Sequence, residues 1–248
     1  MKLPSGHRVL HFDRIDSTNL EARRLVEAGE HGPLWIWSDE QTGGRGRLGR
    51  AWVSEPGNLY ATFLFSVATG PEVAAQVSFV AALAVHDTVM VVRPSLRPRI
   101  KWPNDVLIDG AKVCGILAEV AGTAPVRIAI GCGINIAHAP PGTPYPVTAL
   151  GVGLAVESVL KELDASLSNR LKIWDEGRGF GAIREAWEAR ALGLGGGVTA
   201  QAGSAVVHGH FTGLASDGAL RVTLDDGSEK AIHSGEVSFA ELERLRQR

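Results

Sequence analysis

Apolar positions along the chain fall into short runs separated by stretches at helical spacing. Val9 to Phe12 reads as a short strand. Beyond Asp16-Ser17-Thr18-Asn19, the positions Ala22, Leu25 and Val26 predict a helix, with a capping box of Thr18 and Glu21 at its start and Gly29 as its stop. Leu34 to Ser38 and Leu59 to Ser66 read as strands on either side of a glycine-rich loop. Pro71 opens a helix in which Val73, Val77, Val80 and Ala84 recur, so it should cover one face of a sheet. In Ile100 to Val106 the proline at 103 interrupts a strand pattern and marks an edge or a break. Asp109-Gly110 predicts a hairpin turn, Lys112 to Val120 the returning strand, and Val126 to Ile136 a further one. His138 to Pro146 holds four prolines without periodicity and reads as a loop. Leu160, Leu163, Leu167, Leu171 and Trp174 line one helix; Phe180, Ile183 and Trp187 line the next. The glycine run Gly193 to Gly197 divides the chain at 1–193 and 197–248. Beyond it, short β-patterned runs with Ser216-Asp217-Gly218 and Asp225-Asp226-Gly227 turns predict a small barrel. Glu241 to Arg248 reads as a polar helical end.

Composition narrows the class. The 248 residues are 45% apolar and 21% charged, as in a globular protein of one large and one small domain. A net charge of -2 provides no general basic field for nucleic acid, so a cluster of arginines is a local feature. Two cysteines, Cys114 and Cys132, are too few for a disulfide framework and fit a reducing compartment. No signal-peptide pattern and no apolar stretch long and uninterrupted enough for a bilayer stand out, so a cytoplasmic protein is expected.

The local arginine cluster is Gly43-Gly44-Arg45-Gly46-Arg47-Leu48-Gly49-Arg50-Ala51-Trp52. Glycines allow sharp turns and close approach to a ligand, and guanidinium forks match carboxylate and phosphate oxygens. Gly44 to Gly49 fits G-x-G-x-x-G, but a β-rich run follows it where the dinucleotide fingerprint needs a helix. Arg50-Ala51 after Gly49 excludes a Walker A loop. Taken alone, the loop is either an anion cradle or a solvated basic surface. Ser17 and Thr18 could cap a helix or face a polar ligand. Lys112 could be an exposed hairpin lysine, and Gly115 marks a close approach inside a strand. His208 and His210 share a strand face without a third ligand for zinc.

Together, Asp16-Ser-Thr-Asn19, Gly44-Arg-Gly-Arg-Leu-Gly-Arg-Ala-Trp52, Lys101-Trp-Pro-Asn-Asp-Val106, Lys112-Val-Cys-Gly-Ile-Leu117, the Gly131-x-Gly-Ile-Asn135 turn and Ser234-Gly-Glu-Val-Ser238 resemble the biotin–protein ligases, in order and over nearly the whole chain. The resemblance implies an α+β catalytic domain, a mixed sheet flanked by helices of the class II aminoacyl-tRNA synthetase-like kind, followed by an SH3-like barrel. It implies that biotin and ATP, with Mg2+, give biotinyl-5′-adenylate and pyrophosphate, and that biotin then passes to a lysine of a biotin carboxyl-carrier domain. On this resemblance Ser17, Thr18, Gln41, Gly44, Arg45, Lys112 and Gly115 contact biotin. Arg47, Arg50, Trp52, Asn104 and Asn135 lie on the nucleotide side. Lys112 and Arg47 serve the chemistry, and Asp105 accepts a proton from the incoming lysine. No protein metal ligand is expected. Tyr145 is the candidate to cover the adenine, since His138 to Pro146 lacks a tryptophan.

Members of this family that repress transcription carry a DNA-binding domain ahead of the first strand; the few residues before Val9 lead to the expectation of a ligase without DNA binding, a monomer or homodimer. The rivals are an octanoyltransferase-like or lipoate ligase-like acyl transfer, with Cys114 or Cys132 as nucleophile in the first case, and a non-catalytic biotin-sensing regulator.

Overall fold

The computed structural model describes residues 1–203 and 205–246. The first strand β1 (Arg8–Ile15), helix α1 (Thr18–Glu27) and strand β2 (Leu34–Gln41) form a crossover unit, so β1 and β2 pair in parallel. Strands β3 (Leu59–Val67), β4 (Pro98–Lys101), β5 (Asp105–Ile108), β6 (Ala111–Thr123) and β7 (Val126–Ile134) add antiparallel ladders, giving the order β1-β2-β3-β7-β6-β5-β4. Alternation along the strands separates two cores. Leu34 and Ile36 of β2 turn toward Ala22 and Val26 of α1, whereas Trp35 joins the larger core beneath α2 (Ala74–Val92), α3 (Val156–Trp174) and α4 (Phe180–Glu188).

Three expectations need correction. Ser17, not Thr18, is the N-cap residue of α1, and no side chain caps the helix; the Thr18 hydroxyl is drawn instead to Gln41, and Glu21 pairs with Arg24. The segment Pro71–Val92 is long and apolar enough to cross a membrane by length and composition; here it is the central helix of the core, with Val77, Val80 and Val85 fully buried. The C-terminal helix α5 (Ala240–Arg246) is polar on one side only, since Leu242 is buried and Leu245 packs against the core. Gln247 and Arg248, the end of the predicted tail, lie outside the described residues.

The glycine run leads into a second sheet of β8 (Gly197–Ala202), β9 (Ala205–Leu214), β10 (Leu220–Thr223), β11 (Glu229–Ile232) and β12 (Glu236–Phe239), all antiparallel, in the order β11-β10-β9-β8-β12. It matches an SH3-like fold around Ala200, Phe211, Val222 and Phe239. The two sheets are tied together by specific polar contacts. The Trp102 indole N–H donates to the Gly218 carbonyl (3.2 Å), Leu214 N–H to Glu188 Oε1 (2.6 Å), and Gly193 N–H to Glu241 Oε2 (2.7 Å). This docking brings β12 and α5 to the mouth of a cavity in the first domain.

Candidate active site

The cavity, about 500 Å³, lies between the glycine-arginine loop, the ends of β4 to β7, the start of α1, and the β12–α5 corner. That volume is in the usual range of small-molecule sites. Glycines make its floor. Gly115 of β6 stands opposite Gly133 of β7, and Leu117 opposite Gly131. A Cβ at Gly133 would fall 2.5 Å from the Trp52 ring, one at Gly115 2.8 Å from it, and one at Gly131 2.3 Å from Asn19 Oδ1. Only hydrogen lets Trp52 and Asn19 lie this close to the sheet.

The loop is shaped by its own backbone. Trp52 N–H donates to Gly44 O (2.9 Å) and Gly46 N–H to Arg50 O (2.7 Å), so Arg47–Gly49 forms the tip. Leu48 sits at φ 57, sparsely populated by side chains other than glycine, and is 76% exposed. Gly44 has no room for a side chain, since a Cβ would meet Trp52 O at 2.4 Å.

One end of the cavity is polar and neutral. Gln41 Oε1 accepts from the Thr18 N–H (2.9 Å) and hydroxyl (3.0 Å), and Gln41 Nε2 donates to Ser54 Oγ (2.9 Å). The Thr62 hydroxyl donates to Asn19 Oδ1 (2.6 Å), and Asn19 Nδ2 reaches Glu119 (2.8 Å) and the Leu117 carbonyl (3.2 Å). These fixed partners orient each group before any ligand arrives.

The other end is cationic. Among the described residues, six cationic side chains line the cavity (Arg45, Arg47, Arg50, Lys101, Lys112 and Arg246) against two carboxylates, Asp105 and Glu236. Lys112 Nζ lies 2.8 Å from Asp105 Oδ1, over the rings of Trp52 (5.2 Å) and Tyr145 (5.5 Å). Arg47 donates to Asn104 Oδ1 (3.2 Å), and Arg50 pairs with Glu236 across the domain junction. Burial pulls the Arg47 guanidinium below its usual range. Burial also lowers the Lys101 ammonium; Asp105 opposes that shift and Lys112, Arg246 and Arg50 reinforce it.

The structure gathers Ser17, Thr18, Gln41, Arg45, Arg47, Arg50, Trp52, Asn104, Asp105, Lys112 and Gly115 around this cavity. Gly44 stands behind the wall as the base of the loop. Asn135 is a correction: it is buried and does not line the cavity, and its Nδ2 donates to the Thr148 carbonyl (3.0 Å). It thereby anchors the segment after β7. That segment zips onto β6 through Lys112 N–H to Pro146 O (2.9 Å) and Thr148 N–H to Lys112 O (2.9 Å), which brings Tyr145 to the wall. Sequence reasoning missed Asn19, Lys101 and Arg246. Asn19 was readable as the fourth residue of Asp-Ser-Thr-Asn and Lys101 as the first of Lys-Trp-Pro-Asn-Asp, whereas nothing near Arg246 signals its place.

Both cysteines are buried, Cys114 completely, and Cys132 lines the cavity. Burial pushes the Cys132 thiol up to about 12 and Cys114 well above its usual range, which leaves neither poised as a nucleophile. His208 Nδ1 is taken up with the Thr199 hydroxyl (3.1 Å), far in the chain from the cavity residues.

Comparison with known proteins agrees with this geometry. Residues 11–135 match the model of the biotin/lipoate A/B protein ligase family, and residues 193–240 that of the biotin protein ligase C terminal domain. The chain is 41% identical over 237 residues to a biotin–[acetyl-CoA-carboxylase] ligase of Paracoccus denitrificans, covering 91% of this chain and 98% of that one. It is 29% identical to the bifunctional ligase/repressor BirA of Bacillus subtilis, covering 94% of this chain and 74% of that protein. A biotin protein ligase from Aquifex aeolicus, solved in complex with biotin and ATP, superposes with a TM-score of 0.79 at 29% identity, over 93% of this chain and 97% of that one. With two family models in sequence and a relative matched over almost its whole length, this chain belongs to the biotin protein ligase family.

Proposed function

We infer that this cavity joins biotin to ATP, forming biotinyl-5′-adenylate and pyrophosphate, and then delivers biotin to a lysine of a carboxylase's biotin carrier domain. The observation that carries the reading is the cavity's two-ended chemistry: a neutral hydrogen-bonding end, a glycine floor and a cationic end. Biotin's ureido head suits Ser17, Thr18 and Gln41, with the backbone of the loop at Gly44 and Arg45 beside it. The valeryl chain runs along the exposed side of the Trp52 indole, which lies on Gly115 and Gly133. Its carboxylate then reaches Lys112, where the α-phosphate must also come.

Two anions repel each other as the C–O–P bond forms. Lys112 and Arg47 offset that repulsion at the reacting atoms, with Arg50 toward the rest of the triphosphate. Asn104 fixes Arg47, and Tyr145 offers a face to the adenine. Both wall carboxylates are ion-paired, so magnesium would be held here by the triphosphate oxygens and water, where it would offset charge on the phosphates. The mixed anhydride must be kept from water, and the glycine-arginine loop covers it. Asp105, at the mouth, attracts the ammonium of the acceptor lysine. Such an enzyme acts in the cytoplasm, where carboxylases and ATP are found together.

The test is pyrophosphate release. It should require biotin and ATP together and should not appear with octanoate or lipoate in place of biotin. Release that is independent of biotin, or faster with lipoate, contradicts the reading. The octanoyltransferase alternative needs a thiolate, and both thiols are held protonated by burial.

A further inference from the structure

Ser54 is buried just behind the cavity wall, and the scheme above gives it no role. Its backbone carbonyl accepts from the N–H of Gln41, the last residue of β2 (3.2 Å). Its hydroxyl lies between the Gln41 side chain and the neck of the loop. Ser54 Oγ donates to the Trp52 carbonyl (3.1 Å) and accepts from Gln41 Nε2 (2.9 Å). Gln41 Oε1 accepts in turn from the Thr18 backbone N–H (2.9 Å) and hydroxyl (3.0 Å). Gly44 leaves room for this pair, since a Cβ there would fall 2.7 Å from Ser54 Oγ and 3.1 Å from Gln41 Nε2. Both ends of the chain of bonds are backbone groups of fixed sense: a carbonyl only accepts and an N–H only donates. The Ser54 proton therefore goes to Trp52, its oxygen faces an N–H of Gln41, and the Gln41 carbonyl faces Thr18.

We propose that Ser54 is a positioning residue that fixes which way Gln41 reads biotin, with an N–H and not a carbonyl toward the ligand. This rests on the ligase reading. Thr18 engages both lone pairs of Gln41 Oε1, and Ser54 engages one Nε2 proton. Among the described residues, the second Nε2 proton has no partner, and it is what the side chain has left to offer the cavity it lines. Thr18 offers the opposite sense. Its own hydroxyl proton goes to Gln41, and the Thr62 hydroxyl, 2.8 Å away, makes a shorter contact of 2.6 Å with Asn19 Oδ1. The Thr18 oxygen thus keeps a lone pair for the ligand. A donor beside an acceptor matches a ring in which a carbonyl adjoins an N–H, as in a cyclic urea. Turned over, the Gln41 amide would set N–H against the Thr18 N–H and its carbonyl against the ureido oxygen, and both contacts would weaken binding. Without the Ser54 oxygen, the amide is held at one end only.

Iminobiotin is the probe. At neutral pH its ring is a cyclic guanidinium, with N–H where biotin has its carbonyl oxygen, so it sets a donor against the Gln41 N–H. Titration calorimetry on the full chain should find biotin bound more tightly than iminobiotin by more than roughly tenfold in the wild type. Ser54→Ala should weaken biotin about tenfold, the worth of one hydrogen bond, and weaken iminobiotin little, so the ratio of the two dissociation constants narrows by about as much. A serine with a merely structural role would weaken both ligands alike and leave that ratio unchanged. Gln41→Glu is the second variant. It keeps the shape of the side chain but puts a carboxylate oxygen in place of the N–H, and it should bind iminobiotin the more tightly of the two. A wild type that does not discriminate, a wild-type ratio in Ser54→Ala, or a wild-type preference in Gln41→Glu each overturns the proposal. A wild-type protein that binds neither compound and releases no pyrophosphate with biotin and ATP would instead sink the ligase reading itself, and the proposal with it.

Discussion

The glycine floor can be tested by adding single methyl groups. In Gly133→Ala the new Cβ falls 2.5 Å from both Cε2 and Nε1 of Trp52; in Gly115→Ala it falls 2.8 Å from Trp52 Cζ3 and 3.1 Å from Lys112 Cε and Nζ. Ordinary contact starts at 3.4 Å. The indole must therefore rise by roughly 0.9 Å in the first variant and roughly 0.6 Å in the second, overpacking of a kind that costs about 1–3 kcal/mol. The floor belongs to paired central strands and the indole to a loop, so the loop moves and the cost falls on the closed cavity rather than on the fold. At about 1.4 kcal/mol per tenfold, biotin binding should weaken by roughly 5- to 150-fold, more in Gly133→Ala than in Gly115→Ala. Titration calorimetry with biotin measures this, and thermal unfolding checks that the fold survives. Gly181→Ala is the control, since a Cβ there meets nothing within 4 Å. If Gly133→Ala binds biotin as tightly as the control does, the picture of Trp52 lying on a glycine floor as part of the biotin cavity is refuted.

The remaining predictions concern the cations and the thiols. Lys112→Ala should slow pyrophosphate release far more than it weakens biotin binding if, as proposed, Lys112 offsets the charge of the reacting oxygens; near-normal release in the mutant sinks that role. Arg47→Gly removes the bond to Asn104 and adds flexibility to a loop whose ordering already costs about 1–2 kcal/mol per residue. Charge-assisted bonds to phosphate, each about 1.5–3 kcal/mol, can no longer offset that cost. Adenylate should still form but escape, and streptavidin blots should show biotin on an unrelated bystander protein; labelling no greater than with wild type means that Arg47 is not part of the lid. Cys132→Ala and Cys114→Ala should keep both half-reactions, and the native thiols should alkylate slowly at neutral pH, since burial holds both protonated. Loss of transfer in either variant would restore thioester chemistry as a possibility.

Much of this site could be read from local sequence because its chemistry is carried by short loops at strand ends. The glycine-arginine loop, the Pro103 break and the Asp109-Gly110 hairpin each impose a turn by their own residues. The turn at Asp109 and Gly110 indeed has φ of 49 and 79. What could not be read depends on distant partners. Thr18 was expected to cap its helix, but Gln41, on another strand, competes for its hydroxyl. Asn135 sits in a turn that resembles a nucleotide-binding one, yet the Thr148 carbonyl claims its amide. Pro71–Val92 is apolar on nearly all sides because helices cover it as well as the sheet, and composition alone does not separate that from a membrane span. Arg246 reaches the cavity only because the second sheet docks where it does, through contacts such as Trp102 to Gly218. Its own neighbours in sequence carry no trace of that docking.

The most direct test of the central claim is the mass of a carboxylase carrier domain after incubation with this protein, biotin, ATP and magnesium. The account predicts a gain of one biotinyl group, confined to one lysine and absent when ATP is omitted. No gain, or an octanoyl gain when an octanoyl donor is supplied alongside biotin, would contradict it.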